Sequence, residues 1–290
     1  MLVDQTSKDE SPAAHNKEVA RGLKDYCHFA HPQGFAVMLS GPWGSGKTHF
    51  IKELLNELVP TARDGRMQKP LYVSLYGVKD PGEIGDQLFQ QLHPLLSHKA
   101  TRLVGAVIRA AARATVKVDI GHAAQMSGVL PDLDLSSVLS GADGRIVIFD
   151  DFERAAMTPI ALLGYINPLV EHDGCKVIIL SDESKVSGQD DYKERKEKTV
   201  GSTFEFKADS GVAFTAFMEL IDNREARAFF IASRNTVLSV FADSGLDNLR
   251  ILKHFCGTLN GFGTSSQTDN ASTRTQCVSW FPCSALPPSS

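Results

Sequence analysis

Eight consecutive residues have the types and spacing of a phosphate-binding loop. The segment Gly41-Pro-Trp-Gly-Ser-Gly-Lys-Thr48 fits the pattern GxxxxGK[ST]. Glycines at these positions let backbone N–H groups turn inward around an anion, and a helix that follows adds partial positive charge. In such a loop Lys47 reaches the β- and γ-phosphates as a point charge, and the Thr48 hydroxyl ligates Mg²⁺. The candidate phosphate-binding residues are Gly41, Pro42, Trp43, Gly44, Ser45, Gly46, Lys47 and Thr48. An accidental glycine-rich turn is the structural alternative.

Two adjacent acids follow a short apolar run further along the chain. The four apolar residues 146–149 are expected to deliver Asp150 and Asp151 to the carboxyl edge of a sheet, which is a Walker B pattern. Asp150 is predicted to hold the magnesium shell, and Asp151 or Glu153 to orient and activate water. An acid pair that caps the next helix is the structural alternative. Because the backbone turns at a strand end, Asp151 can face the γ-phosphate, and it is the predicted general base.

A further polar strand end supplies a candidate sensor. Asp182 follows the strand predicted at 176–181 and is predicted to lie between the two Walker elements, where it would contact the γ-phosphate or the attacking water. A solvated strand end or helix cap is the alternative. The NKxD signature of guanine recognition is missing from the later strands, and the only Asn-Lys pair, Asn16-Lys17, precedes the loop. The predicted ligands are therefore ATP and Mg²⁺.

Apolar runs that alternate with helical spacing predict the elements that position these groups. Strands are predicted at 35–40, 71–76, 145–150, 176–181 and 203–207. Helices are predicted at 17–30, 48–59, 81–96, 98–116, 159–171 and 190–198, with Asp80 as the N-cap before Pro81. The alternation predicts an α/β fold with a parallel five-stranded sheet flanked by helices. Helical spacing at 211–221, 225–241 and 246–255 predicts a C-terminal helical lid.

The same patterns divide the chain into four segments. They are a disordered N-terminus at 1–16, a P-loop NTPase core at 17–208, the lid at 209–256 and a disordered tail at 257–290. Residues 117–143 are rich in Gly, Ser, Asp and Pro and are predicted to form a variable insertion in the core. After His254 the composition changes abruptly to Gly, Ser, Thr and Pro. A frameshifted end of a longer protein would explain this change, and a genuine Ser/Thr-rich linker is the alternative.

Composition limits the partners of the chain. A formal net charge of -4 over 290 residues gives no field that draws the whole molecule onto nucleic acid, although local basic patches leave that partner open. The five cysteines form no CxxC pair, and no disulfide framework or zinc site is expected. The opening residues are too polar for an export signal, and the apolar stretch at 103–116 is interrupted by Arg109 and Arg113. A cytoplasmic protein without a membrane partner is predicted.

Together these motifs resemble those of KAP-type P-loop NTPases. The resemblance rests on the phosphate-binding loop with its tryptophan, on Asp150-Asp-Phe-Glu-Arg154, and on Asn248-Leu-Arg-Ile-Leu-Lys253, and it covers roughly residues 17–254. It implies the additional-strand class, in which one strand separates the two Walker strands. It also implies that Arg250 is a second sensor of the γ-phosphate, in a segment where Leu249 stands in place of the usual proline. Asp182 stands where asparagine is expected.

The predicted function is an ATP-driven switch in which Mg-ATP binding closes the lid and hydrolysis releases it. The resemblance implies a role in bacterial antiviral defence, and self-association is expected, whereas the residues do not identify a protein effector. Three other classes remain open: a small-molecule kinase, a nucleotide-gated binding module with negligible turnover, and a ring-forming motor. The kinase remains an alternative because a kinase needs an arginine-rich lid over the phosphates, and the predicted lid contains arginines. For the motor, Arg154 is the motif-linked candidate for a trans-acting arginine, with a salt bridge that fixes the Walker B loop as the alternative.

Overall fold

The computed structural model describes residues 11–57, 69–92, 144–186 and 190–259. Its strands are β1 (Ala36–Ser40), β2 (Leu71–Ser74), β3 (Ile146–Asp150), β4 (Lys176–Ser181) and β5 (Val200–Glu205). Its α-helices in the core are α1 (Pro12–His28), α2 (Lys47–Glu57), α3 (Pro81–Leu92), α4 (Pro159–Glu171) and α5 (Asp190–Thr199). Four more helices follow, α6 (Ser210–Glu219), α7 (Arg224–Ala232), α8 (Arg234–Asp243) and α9 (Leu249–Leu259). The predicted helix at 98–116 and the insertion at 117–143 lie outside the described residues.

The five strands form one sheet in the order β2-β3-β4-β1-β5, and every neighbouring pair is parallel. The predicted parallel five-stranded sheet flanked by helices is therefore confirmed. Strand β4 lies between β1 and β3, so one strand separates the two Walker strands, as the additional-strand class requires. Because all strands point the same way, the residues that follow β1, β3 and β4 meet at one edge of the sheet.

The sheet is buried on both faces, which is why its central strands are continuous apolar runs. On one face α3 and α4 cover Val147 and Phe149, while on the other α1 and α2 cover Ile146 and Ile148. Alternate residues of β3 thus serve two separate hydrophobic clusters, as the two-residue period of a strand requires. This packing holds the carboxyl end of β3 at a fixed position in the middle of the sheet.

Several predicted boundaries shift in the structure. Strand β4 and helix α4 have the predicted bounds. Helix α4 begins where predicted because Thr158 caps it and proline suits its first position. Helix α1 begins five residues before the predicted Lys17, inside the segment predicted to be disordered, because the Ser11 side chain accepts a hydrogen bond from the Ala14 N–H. Strand β5 begins three residues before the predicted start at 203.

Helix α1 is fastened to the sheet at both of its ends. Near its start, the Asn16 side chain donates to Lys207 O at 2.8 Å and accepts from the Lys207 N–H at 3.1 Å. Near its end, the Tyr26 hydroxyl donates to Phe35 O at 2.8 Å and accepts from the Val177 N–H at 2.9 Å. These polar contacts hold α1 against β1 and β5, beside the phosphate-binding loop.

The last four helices share a hydrophobic cluster of their own, which includes Phe214, Phe230, Val237, Leu252 and Phe255. The single helix predicted at 225–241 is two helices that meet at Ser233, and α9 continues four residues beyond the predicted end at 255. Across the described ranges of the chain, every helix falls short of the length and apolarity that a membrane span needs.

The outer edge of β2 is covered by two glutamine side chains of α3. The Gln87 amide accepts from the Ser74 N–H at 3.1 Å and donates to Ser74 O at 3.0 Å. The Gln91 amide accepts from the Tyr72 N–H at 2.9 Å and donates to Tyr72 O at 2.7 Å. Because Gln87 and Gln91 are one helical turn apart, they match alternate residues of the strand. The backbone groups of the edge are therefore paired without a sixth strand.

Candidate functional site

The phosphate-binding loop connects β1 to α2 in the strand–loop–helix context that the motif requires. Gly44 and Gly46 adopt positive φ angles of 77° and 103°, a region that side chains with a Cβ rarely enter. The Gly41 N–H donates to Ser181 O at 3.1 Å, which ties the start of the loop to the end of β4. Helix α2 begins at Lys47, so its N-terminus points its backbone N–H groups into the loop.

The ammonium group of Lys47 lies inside its own loop. Its Nζ donates to Gly41 O at 2.6 Å and to Pro42 O at 3.0 Å, and the residue is 9% exposed. Burial lowers the pKa of Lys47, while the nearby carboxylates of Glu153 and Asp182 oppose this shift. The lysine is thus a buried positive charge near the acids that follow β3 and β4.

The two predicted magnesium ligands are in contact with each other. The Thr48 hydroxyl donates to Asp150 Oδ2 at 2.7 Å, and the Tyr72 hydroxyl donates to the same oxygen. Burial and this hydrogen bond raise the pKa of Tyr72 well above its ordinary value, which keeps the phenol protonated as a donor. Tyr72 comes from β2, whose register sets it beside Ile148, two residues before Asp150. Sequence reasoning missed Tyr72, whose only signal was its place in the strand predicted at 71–76.

The residues present fit an oxyanion ligand and a magnesium ion. Among the described residues, the Ser45 hydroxyl is buried without a hydrogen-bond partner, within the phosphate-binding loop. A phosphate oxygen would satisfy such a donor. Thr48 and Asp150 supply adjacent hydroxyl and carboxylate oxygens, the donor type that Mg²⁺ prefers.

Asp151 occupies the turn predicted at the end of β3. Its φ of 58° places it in the left-handed region, alone among the non-glycine residues that the structure describes. Its side chain is 31% exposed and lines the cavity described below, and its Oδ1 lies 3.6 Å from Arg154 Nε. Burial and the charge of Asp150 raise the pKa of Asp151, whereas Arg154 and Arg250 act in the opposite direction. The Asp151 carboxylate is therefore accessible from the cavity, adjacent in sequence to Asp150, and within ion-pair distance of Arg154.

Glu153 and Asp182 lie beside the loop, but their oxygens are engaged with protein groups. The Glu153 carboxylate accepts from the Trp43 indole N–H and from the Asp182 N–H, the latter at 3.0 Å. The Asp182 carboxylate accepts from the Trp43 N–H at 3.2 Å and from the Ser184 hydroxyl at 2.6 Å. Asp182 thus follows the strand between the two Walker strands, Glu153 follows the Walker B strand, and both contact Trp43 of the loop.

A cavity of about 530 Å³ separates the loop from the helices of the lid. Asp150, Asp151 and Lys47 line its core side, and Arg250 and Lys253 of α9 line its lid side. The walls between them come from the start of α1 and from α6, and they are largely apolar. This volume is in the range of small-ligand sites. The structure therefore brings Arg250 to the same cavity as the Walker residues.

A model of the KAP family P-loop domain matches residues 16–264. The chain belongs to the KAP P-loop family. This agrees with the resemblance read from the phosphate-binding loop and from the acids after β3. Domains of this family bind nucleotides through the P-loop, and the geometry above describes that loop in this KAP domain. A comparison with curated proteins found no match.

The solved structures that match this KAP domain are distant from it in sequence. The Aeropyrum pernix ORC2 protein, in ADPNP-ADP complexes, is 15% identical with a TM-score of 0.54, and the match covers 98% of this chain and 72% of that chain. Cdc6p from Pyrobaculum aerophilum is 12% identical with a TM-score of 0.45. That match covers 74% of this chain and 51% of the other, so this chain spans about half of its length.

The lid of this KAP domain is hydrogen-bonded to the phosphate-binding loop. The Leu249 N–H donates to Gly44 O at 2.9 Å, and the Asn248 side chain caps the next N–H, that of Arg250, at 3.0 Å. A Cβ at Gly44 would lie 1.9 Å from Asn248 Oδ1, so glycine is needed there for close approach as well as for its φ. Since proline has no N–H, the usual residue at position 249 could not make the contact with Gly44.

Comparing Leu249→Pro with Leu249→Ala isolates this hydrogen bond. Both variants lose the leucine side chain, but only proline removes the N–H, and proline is tolerated at the first position of a helix. We expect amide hydrogen exchange in α9 to be about two- to tenfold faster in Leu249→Pro than in Leu249→Ala, the range for one hydrogen bond. Equal exchange in the two variants would show that the contact does not hold the lid.

Proposed function

We propose that this chain binds Mg-ATP in the cavity between the sheet edge and the lid and hydrolyses it. The observation that carries this proposal is the convergence on one cavity of a buried lysine, a hydroxyl–carboxylate pair, an accessible carboxylate and a lid arginine. These groups are Lys47, Thr48 with Asp150, Asp151, and Arg250. They come from three separate segments, so their meeting depends on the fold rather than on local sequence.

Each residue is proposed to have a separate role. Thr48 and Asp150 would hold Mg²⁺, which when bound supplies positive charge to the phosphates. Lys47 neutralises phosphate charge from within the loop, and Asp151 accepts the proton of the attacking water. Arg250 adds positive charge from the lid. The Asp151 side chain is 31% exposed and that of Glu153 is 3% exposed, which supports Asp151 as the acid that meets water.

The lid, proposed to comprise residues 209–256, would act as the moving part of a switch on a core at 17–208. The hydrogen bond from Leu249 to Gly44 gives the lid a direct contact with the phosphate-binding loop. A nucleotide in the cavity would touch both sides, so its binding favours the closed arrangement and its hydrolysis removes that preference. This contact supports coupling between the state of the nucleotide and the position of α9.

The experiment that tests the proposal is ATP turnover by the purified chain, with and without DNA or RNA. We expect phosphate release that needs Mg²⁺ and is unchanged by nucleic acid. Stimulation of turnover by nucleic acid would identify the chain as a motor and not a switch. Phosphate transfer to a metabolite would identify it as a kinase. Nucleotide binding without turnover would identify a gated binding module.

Arg154 is proposed to hold the Walker B turn rather than to act on a neighbouring subunit. Its guanidinium carbon lies 4.5 Å from the Trp43 ring centroid, and its Nε is 3.6 Å from Asp151 Oδ1 and 3.8 Å from Glu153 Oε1. These contacts lie within its own site and support a structural salt bridge. They weigh against the motor, for which Arg154 was the motif-linked arginine.

Family resemblance alone supports a role in bacterial antiviral defence, and self-association of the chain is proposed together with the switch. Both are proposals about biology rather than about the site. Plaque counts on cells that express the chain or its Lys47→Ala variant would test the first, with fewer plaques expected only for the unaltered chain. Light scattering with and without Mg-ATP would test the second, with a larger mass expected in its presence.

A further inference from the structure

The N–H groups of Trp43 connect the phosphate-binding loop to two neighbouring strands. Its backbone N–H donates to Asp182 Oδ2 at 3.2 Å, after β4, and its indole N–H donates to Glu153 Oε1, after β3. Trp43 is the third residue of the loop and is 40% exposed. An exposed residue would ordinarily be free to move, but here both of its donors are held by carboxylates.

Glu153 closes this arrangement into a ring of three residues. Its Oε1 accepts from Trp43 and its Oε2 accepts from the Asp182 N–H at 3.0 Å, while Asp182 holds the Trp43 backbone. We call Trp43, Glu153 and Asp182 the bracket. The Glu153 side chain is only 3% exposed, so a broken contact would leave a buried carboxylate oxygen unsatisfied. Such a charge-assisted ring is stiff because every member has two partners.

A stacked arginine covers the outer face of the bracket. The Arg154 guanidinium lies 4.5 Å from the Trp43 ring centroid and 5.8 Å from that of Tyr76, and its Nε is 3.8 Å from Glu153 Oε1. A cation over an aromatic face is attracted by the ring quadrupole. Arg154 therefore restrains the ring whose indole N–H Glu153 holds, and it balances the charge of that carboxylate.

We propose that Glu153 and Asp182 are positioning residues, which act through Trp43 to set the phosphate-binding loop relative to Asp151. This inference rests on the proposed ATPase function and assigns Glu153 a role other than that of general base. A base needs an oxygen that water can reach, whereas the Glu153 side chain is 3% exposed and each of its oxygens already accepts a hydrogen bond from the protein. A loop displaced by about 1 Å can cost on the order of a hundredfold in rate, so Glu153 and Asp182 matter for catalysis through the loop that they hold.

The test compares Trp43→Phe, Glu153→Gln and the double variant, with Glu194→Gln on the exposed face of α5 as control. Phenylalanine keeps a ring but removes the indole N–H. Glutamine has only one terminal oxygen that can accept, because its other terminal atom is an NH₂ donor. We expect each single variant to raise KM for ATP and lower kcat, with kcat/KM reduced about tenfold. The double variant should be no worse than the more impaired single variant, because both changes break one contact.

Two results would overturn the bracket. In the first, Glu153→Gln loses much of its kcat at unchanged KM, while Trp43→Phe keeps the kcat and KM of the unaltered protein. This is the behaviour expected if Glu153 is a general base. The other is a double variant whose loss is the product of the two single losses, which would show that the residues act independently. Thermal unfolding of each variant separates these results from a loss of folded protein.

A fluorescence measurement keeps the test separate from the proposed function. Trp280 is the other tryptophan of the chain, so Trp280→Phe leaves Trp43 as the single emitter. In that background we expect Glu153→Gln to shift Trp43 emission and to increase its quenching by acrylamide, without any nucleotide. Unchanged emission and quenching would overturn the bracket even in an active enzyme. A shift in a protein that does not hydrolyse ATP would support the bracket and reject the ATPase.

Discussion

Asp151→Asn is expected to bind ATP with nearly unchanged affinity and to hydrolyse it about a hundred- to ten-thousandfold more slowly, the range for general base catalysis. The left-handed turn at Asp151 directs an accessible carboxylate to the cavity, next to Asp150. Asparagine has nearly the same shape and is also tolerated in this backbone region, so the change removes the charge and leaves the turn. Single-turnover hydrolysis with a separate binding titration measures the two effects.

The matched comparison for this prediction is Glu153→Gln. A positioning residue should affect KM as well as kcat, and its total effect should be smaller than that of Asp151→Asn. If Glu153→Gln instead loses more hydrolysis than Asp151→Asn while it binds ATP normally, the base is Glu153 and Asp151 is a residue of the turn. The two variants thus rank the acids that the sequence left as alternatives.

Lys47→Ala is expected to weaken ATP binding at least about a hundredfold, the loss of two charge-assisted hydrogen bonds to phosphate. Without Lys47, the negative charge near the phosphates would no longer be balanced by the cation of the loop. This charge comes from Asp150, Asp151, Glu153 and Asp182. The variant therefore adds repulsion to the loss of attraction. Calorimetric titration with a non-hydrolysable ATP analogue measures the affinity.

Lys79→Ala is the control for this titration, because Lys79 is exposed and does not line the cavity. It should bind the analogue as the unaltered chain does. Retained micromolar affinity in Lys47→Ala would reject the loop as the phosphate-binding site. Because Lys47 is buried, thermal unfolding without nucleotide should accompany the titration to show that the variant is folded.

The sequence predicted most accurately the elements whose signal is local. Strand β4 is a continuous apolar run between a glycine-containing turn and a polar end, and α4 begins at a Thr-Pro pair, so both have the predicted bounds. Strand β5 was placed three residues too late because Gly201 and its polar neighbours lie on an exposed edge, where apolar patterning is weak. The break at Ser233 was missed because helical spacing continues through it.

The site shows the same division between local and distant information. The loop and the acids after β3 are consecutive residues, so their pattern was visible, and the turn at Asp151 followed from a strand end. The contacts of Trp43 with Glu153 and Asp182 join segments more than a hundred residues apart in sequence. So does the contact of Leu249 with the loop. Such contacts depend on the order of strands in the sheet, which single-sequence patterns do not specify.

The glutamine-covered edge of β2 divides its amide protons into two kinds. Those of Tyr72 and Ser74 are sheltered by side chains of α3, whereas the Leu75 N–H donates to Asp150 O at 2.8 Å within the core. Undocking of α3 alone would expose the first two to solvent and leave the third protected. Neighbouring amides in one short segment therefore record two different motions, release of a helix and separation of the Walker B strand from its neighbour.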